Sequence, residues 1–446
     1  MKFAPTLRAA ALCTAVALLP ATTAGFAQVE GKASPEFAKL FYAYQLVKSA
    51  YVEPVEDDVL IRGAIDGMLA ALDPHSAYLE GNSLERLETM IDGNYQGLGI
   101  SIVMEDGAVK IVAPFKGSPA DKAGLKAGDF ITHIDGKLIY GLEVDQAVAQ
   151  MRGPAGSGVE LTIFRPGRDN SFDVEVTRGV IELEPVTYEL MDGNIGHISV
   201  NEFSADVGKD VNLALAALRR EATGRLGGLV LDLRQNPGGS LDEAVALSDL
   251  FLTKGQIVSQ RGRTRRDTIY YEAETMFRGD VAEGMPIIVL INAGSASASE
   301  IVAGALQDHH RALVMGERSF GKGSVQSLMY FPDRQRALKL TTARYYTPSG
   351  HSLQEGGIEP DIRVPQLSDP DSARRQRLAM RESDLRGHLV NEAGIEDKSF
   401  ELDKRDDPRF QLSAEQLEAQ GITDFQLDYA VRTLKRTAGT KIARSK

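Results

Sequence analysis

Residues 287–308 read IIVLINAGSASASEIVAGALQD. The run Ile287-Ile-Val-Leu-Ile291 has no polar position, as expected of a strand buried on both faces, and the apolar spacing from Ile301 to Asp308 is that of a helix. The turn between them carries serines. A serine at a strand-to-helix turn has its hydroxyl lifted to the carboxyl edge of the sheet, where the helix N-terminus favours developing negative charge. Ser297-x-x-Glu300 is equally a capping box, which satisfies helix amides without any chemistry. This stretch alone supports both readings.

The same grammar recurs upstream. Leu229-Val-Leu-Asp-Leu-Arg234 reads as a second buried strand and Leu241 to Leu252 as its following helix. The segment 182–365 is therefore expected to form an α/β core with crossover helices. Between that strand and helix, Gln235-Asn-Pro-Gly238-Gly239-Ser240 offers backbone N–H groups with no Cβ in the way. Such a loop would complete an oxyanion hole with the amide of Ala298. It also reads as an ordinary turn capped by Ser240-x-x-Glu243. The histidines, His75, His133, His197, His309, His310, His351 and His388, sit in no recognisable base motif.

Residues 316–326, GERSFGKGSVQ, nearly spell a phosphate-binding loop, but Gly323 stands where Ser or Thr is needed and a β-prone run follows. Lys322 is a candidate general base if burial lowers its pKa from about 10.4 toward 7, a shift of roughly 4–5 kcal/mol. Gly321 and Gly323 would let it approach closely. On a strand, Lys322, Ser324 and Gln326 share a face, so the Gln326 amide would orient the amine. The plain alternative is a solvated hairpin lysine.

Around this core lie a helical stretch, 35–92, broken at Asp73-Pro-His-Ser76, and a compact module of short strands and turns from Gly97. The charged end, 366–446, reads as a solvated helical extension or docking arm. Lys2 and Arg8, the apolar run Ala9–Leu19 and small residues up to Ala27 read as a cleaved secretory signal, too short to stay as an anchor. Cys13, the single cysteine among 446 residues, lies inside it. Disulfides, thiol nucleophiles and cysteine-held metals are excluded from the mature chain, and no metal or cofactor is implied. A net charge of −12 with no basic stripe excludes nucleic acid.

Taken together, YVEPVEDD and LDPHS, GLGI, NPGG, GSASASE and GERSFGKGSVQ resemble the carboxy-terminal processing peptidases, also called tail-specific proteases, over about residues 40–365. With the two ends as read above, the resemblance implies a multidomain α/β protein: a signal peptide (1–27), a helical segment (28–95), a PDZ domain (96–181) inserted before an α/β, crotonase-like ββα protease core (182–365), and a helical extension (366–446). It implies a Ser–Lys dyad of Ser297 and Lys322 supported by Gln326, with Ala298 and Gly238 or Gly239 forming the oxyanion hole. Gly97, Leu98, Gly99 and Ile100 would bind the carboxylate of a peptide tail, and Arg152 would link that module to the core. The GLGI stretch alone also reads as a strand with bulge glycines, and Arg152 as a surface turn arginine. The expected protein is a periplasmic serine endopeptidase, soluble or membrane-associated, that takes protein or peptide tails, with its helical termini serving an adaptor or a homo-oligomer. The rival is a non-catalytic PDZ scaffold. A penicillin-recognising acyl transferase would need Ser-x-x-Lys, which Ser297 lacks.

Overall fold

The structure is a computed structural model that describes residues 34–92, 94–105, 108–114, 117–141, 144–168, 170–182, 185–274, 279–368, 381–392, 410 and 412–444. The expected signal segment with Cys13, and much of the expected carboxy-terminal extension, lie outside the described residues. The chain divides into two units, Met1–Gly67 and Met68–Lys446. In the first, helix Pro35–Ala50 starts where Ser34 accepts the Phe37 N–H and Pro35 takes the first turn. None of its residues is buried.

In the second unit a six-stranded sheet runs in the order Val186–Met191, Ile195–Val200, Gly228–Asp232, Ile287–Ile291, Leu313–Gly316 and Ile362–Arg363. The first pair is antiparallel and the rest are parallel. Gly228–Asp232 and Ile287–Ile291 are buried at every position, as their unbroken apolar runs require. Helices Val207–Glu221, Leu241–Asp249 and Ala298–Asp308 pack on one face, filling a cluster around Leu215, Leu231, Phe251 and Val302. Helix Phe425–Arg444 covers the other through Leu427, Val431 and Leu434. The carboxyl ends of three neighbouring strands thus emerge side by side, where open parallel sheets build their sites.

A second, antiparallel sheet holds Ser324–Tyr330 against Arg336–Tyr346, with Ala77–Glu80 and Gln256–Gly262 also paired to the long strand Arg336–Tyr346. The Ala77–Glu80 strand lies inside the stretch expected to be helical on both sides of a break at Asp73-Pro-His-Ser76. Asp73-Pro74 ends the helical pattern there, and the β-prone Ala77-Tyr-Leu pairs residue by residue with Arg336–Lys339. Strands Ile100–Glu105, Ala108–Pro114, Phe130–Ile134, Lys137–Leu138, Gly158–Phe164 and Phe172–Thr177 form the separate sheet of the PDZ-like module, closed at its base by Asn94–Gly97 pairing with Gly179–Glu182.

Candidate active site

Each of the three adjacent strand ends supplies one part of the site. After Ile291 the chain turns through Ser295, Ser297 and Ser299, whose hydroxyls have different fates. Ser295 Oγ donates to the Leu233 carbonyl (2.8 Å) and Ser299 Oγ to the Asn236 carbonyl (2.9 Å), stitching this turn to the Asn-Pro-Gly-Gly loop. Ser297 is held at φ 54°, ψ −111°, a backbone conformation a serine adopts only under constraint. Its N–H donates to Glu300 Oε2 (2.7 Å), the reciprocal half of the capping box, while its own side chain faces the helix without making a cap hydrogen bond. Of the three hydroxyls, that of Ser297 alone has no hydrogen-bond partner among the described residues.

The loop after Asp232 lies against this turn. A Cβ at Gly238 would fall 2.8 Å from Ser297 Cβ and one at Gly239 2.3 Å from the Phe203 carbonyl, so both positions demand glycine. Gly238 N–H is spent on Asn236 Oδ1 (2.9 Å). No acceptor takes the Gly239 or Ala298 N–H among the described residues. The loop is anchored from behind: Arg234 makes paired bonds to Asp232 and, at 3.0 and 2.7 Å, to Asp424 at the foot of helix Phe425–Arg444. Burial acts upward on Asp232, but His197 and Arg234 hold it down to about 2. Ser240 accepts from the Glu243 N–H, yet Glu243 returns nothing to it and takes the Gly208 N–H instead, so this is half a capping box.

After Gly316 comes the Lys322 loop. Glu300, fully buried, accepts Ser319 Oγ (2.6 Å) and Gly321 N–H (2.7 Å) on one oxygen, and Lys322 N–H (3.0 Å) beside Ser297 N–H on the other. One carboxylate therefore binds both the serine turn and the lysine loop. Burial pushes Glu300 up to about 7, against the pull of these four donors. Burial, and then the Lys339 charge, push the Lys322 amine below its ordinary value, while Glu382 and Glu300 oppose them. The flanking glycines serve a purpose that sequence did not show: a Cβ at Gly323 would lie 2.3 Å from Gln354 N, and one at Gly321 3.0 Å from Glu355 carbonyl atoms. Gln326 donates its amide to Ser324 Oγ (2.9 Å) and Thr341 Oγ1 (3.3 Å), which places Ser324 and Gln326 on one face, whereas Lys322, expected on that face, lies in the loop before the strand Ser324–Tyr330.

In the PDZ-like module the Leu98 carbonyl accepts Ala120 N–H (2.9 Å) and the Gly99 carbonyl accepts Ser118 Oγ (3.0 Å). In a trans peptide the N–H points opposite to the preceding carbonyl, so the Gly99 and Ile100 N–H groups face away from that helix. Gly97 pairs with Gly179 at the base of the module. Arg152 follows helix Val144–Met151, and its side chain makes no hydrogen bond or ion pair among the described residues. The arginine that ties that helix end down is Arg178, which donates to the carbonyls of Met151 (2.9 Å), Gly158 (2.7 Å) and Gln150 (3.2 Å).

Comparison with known proteins decides the family. The chain is 46% identical over 355 residues, 79% of its length and 80% of its relative's, to a carboxy-terminal-processing protease of Bartonella bacilliformis. It belongs to the carboxy-terminal processing proteases. The profile of peptidase family S41 matches residues 194–364, that of a PDZ domain 96–176, and that of the activating protease CtpB N-terminal domain 19–83. The carboxy-terminal processing protease CtpA of Bacillus subtilis is 36% identical over 74% of this chain and 69% of its own. Among solved structures, a photosystem II D1 C-terminal processing protease is 29% identical, covering 77% of this chain and 92% of its own, with a TM-score of 0.46.

This carboxy-terminal processing protease is thus a serine-type peptidase with a PDZ domain and an α/β S41 core, as its sequence motifs led one to expect. Several residues that build the site were not legible. Glu300 was visible only as a capping partner, though its position in Ser-Ala-Ser-Glu, facing two glycine-flanked loops, was the available signal. Asp424 and Thr341 carry no local signature, because each acts on a residue far away in sequence.

Proposed function

We propose that this peptidase is an exported endopeptidase whose working pair is Ser297 and Lys322. Ser297 Oγ bonds to the scissile carbonyl carbon and its proton passes to the neutral Lys322 amine. The oxyanion receives the N–H groups of Ala298 and Gly239, while Gly238 gives the close approach. The C–N bond breaks as Lys322 returns the proton to the leaving amine. Water then cleaves the acyl ester by the same route. Gln326 orients the amine. Substrates are proteins and peptides whose tail carboxylates meet the Gly97–Ile100 loop, chiefly the Gly99 and Ile100 N–H groups. Arg152, without a side-chain partner among the described residues, links an occupied PDZ domain to the core. Removal of residues 1–27 would release the enzyme into the periplasm, with its helical ends available to an adaptor or a second copy.

The observation that carries this reading is that Ser297 and Lys322 hang by their backbone N–H groups from the same oxygen of Glu300, while, among the described residues, Ser297 alone of the three turn serines has its hydroxyl uncommitted. Ser297→Ala and Lys322→Ala should each abolish cleavage of a tail peptide in a folded protein, and the double variant should be no worse. Lys322→Arg should be equally inactive, since a guanidinium keeps its proton. Cleavage by Lys322→Ala would overturn the dyad. Equal turnover of free-acid and amidated peptides would remove tail recognition, and Arg152→Ala should uncouple turnover from the tail.

A further inference from the structure

The Leu72-Asp-Pro-His-Ser76 motif has no part in the chemistry above, yet it is bonded into the lysine side of the site. Asp73 is buried and its carboxylate accepts from His75 N–H (2.8 Å), Ser76 N–H (2.9 Å), Ser76 Oγ (2.9 Å) and, across the fold, Thr341 Oγ1 (3.0 Å). Ser76 Oγ in turn accepts the Thr341 N–H (3.1 Å). Thr341 stands opposite Gln326 on the neighbouring strand, and its Oγ1 also meets Gln326 Nε2 (3.3 Å).

The polarity of this chain is determined by its first member. A carboxylate only accepts, so the single hydroxyl hydrogen of Thr341 is committed to Asp73 and the Thr341 oxygen has only lone pairs left to offer. The group of Gln326 that meets it must therefore be the NH2 and not the carbonyl. With its NH2 spent on Ser324 Oγ and Thr341 Oγ1, Gln326 keeps its Oε1 as an acceptor that takes no hydrogen bond among the described residues. Without the Asp73–Thr341 pair the two ends of the amide, alike in shape, would compete for that position.

We propose that Asp73 acts through Thr341 as a polarity relay that fixes which end of the Gln326 amide is presented to the Lys322 amine. The Asp73-Pro-His-Ser76 turn is then a positioning element of the base. The turn also reaches the Lys322 loop, because His75 Nε2 meets both oxygens of the buried Glu382 at 2.9 Å. Glu382 accepts Gln354 Nε2 (3.0 Å), whose Oε1 holds the Gly323 N–H (3.2 Å). The inference rests on the Ser297–Lys322 reading and fails separately from it.

The test is a double-mutant cycle of Thr341→Val and Gln326→Ala in the full-length enzyme, read as kcat and KM on a tail peptide, with melting curves for each variant. Thr341→Ala runs beside Thr341→Val, since both lack the hydroxyl but pack differently. The relay predicts that both lower kcat by about three- to tenfold with KM unchanged, the range expected for one lost hydrogen bond. Thr341→Ser should keep wild-type kcat, and neither Thr341 substitution should cost anything further once Gln326 is Ala. Wild-type kcat in the two hydroxyl-free variants, a neutral Gln326→Ala, or the same factor lost again in the Gln326→Ala background would each overturn it. Cleavage by Lys322→Ala would instead remove the dyad beneath it, whereas an inactive Lys322→Ala with additive Thr341 and Gln326 effects would remove the relay alone.

Discussion

Replacing Glu300 with Gln keeps the volume of the side chain that joins the proposed nucleophile and base but exchanges two acceptor oxygens for one acceptor and one donor. Four donors converge on Glu300: Ser297 N–H, Ser319 Oγ, Gly321 N–H and Lys322 N–H. The least costly amide orientation keeps Oε1 on Ser297 and Lys322 and points the NH2 toward Ser319, whose hydroxyl can accept. Gly321 N–H is then stranded in a buried site, a cost of about 1–3 kcal/mol. Against this stands the relief of not burying a carboxylate. A value raised from 4.5 to about 7 corresponds to about 3 kcal/mol at pH above 7. The two sides cancel to within about 2 kcal/mol, so melting at pH 8 should change little. Because the folded value lies above the unfolded one, the Glu300 term favours the wild type below about pH 4.5 and is lost as the pH rises through about 7. The variant should compare worst with the wild type at pH 5. Catalysis has no such compensation, because the stranded amide adjoins Lys322 and a displacement of about 1 Å costs about 100-fold. The assay is kcat on a tail peptide at pH 8 beside melting at pH 5 and 8. A variant within about threefold of wild-type kcat would refute the claim that Glu300 sets the geometry of the pair.

Two further predictions concern pH and the carboxy-terminal helix. Because burial holds Lys322 below its ordinary value, activity should rise as the pH climbs through its folded pKa, with the neutral amine as the working form. The same shift makes a protonated Lys322 destabilising, so Lys322→Met should melt higher than wild type at pH 6, and the advantage should vanish toward pH ~10.5; a constant or reversed difference would contradict it. Asp424→Asn loses the charged half of a paired bond to Arg234, which carries the Asn-Pro-Gly-Gly loop, at about 1–3 kcal/mol in a denaturant titration at pH 7. Asp232 and Asp424 are both held below their ordinary values, so the stability of this cluster is present above pH ~4 and is lost as the pH falls toward about 2. An unchanged midpoint at pH 7 would show that the helix is docked by its apolar face alone.

The parts of the site that lie on one short stretch were legible before any coordinates. Ile287–Ile291 reads as a buried strand because period-two alternation is absent, and the serine turn after it carries its own helix-start signal. Leu229–Asp232 and the glycines after it repeat that logic. What could not be read is what joins these stretches. Glu300 has one local explanation, the capping box, and that explanation is half right, which conceals the three bonds it makes to residues 319–322. Gly321 and Gly323 look permissive for Lys322, but they are required by the backbone of Gln354 and Glu355, which no spacing rule relates to them. The Ala77–Glu80 strand was missed because four residues following a helical pattern take their identity from the partner strand Arg336–Lys339, and Asp73 owes its role to Thr341 on that same long strand.

The claim at the centre is that Ser297 becomes covalently bonded to the acyl half of its substrate and that Lys322 makes this possible. Enzyme turning over a tail peptide and quenched in acid should show, by mass spectrometry of its digest, an acyl ester on the fragment that contains Ser297. The ester should be absent from both Ser297→Ala and Lys322→Arg, and should form faster as the pH rises from 6 to 9. An acyl group on Ser295, Ser299 or any residue outside this turn, or an ester on Ser297 that forms at the wild-type rate in Lys322→Arg, would contradict the account.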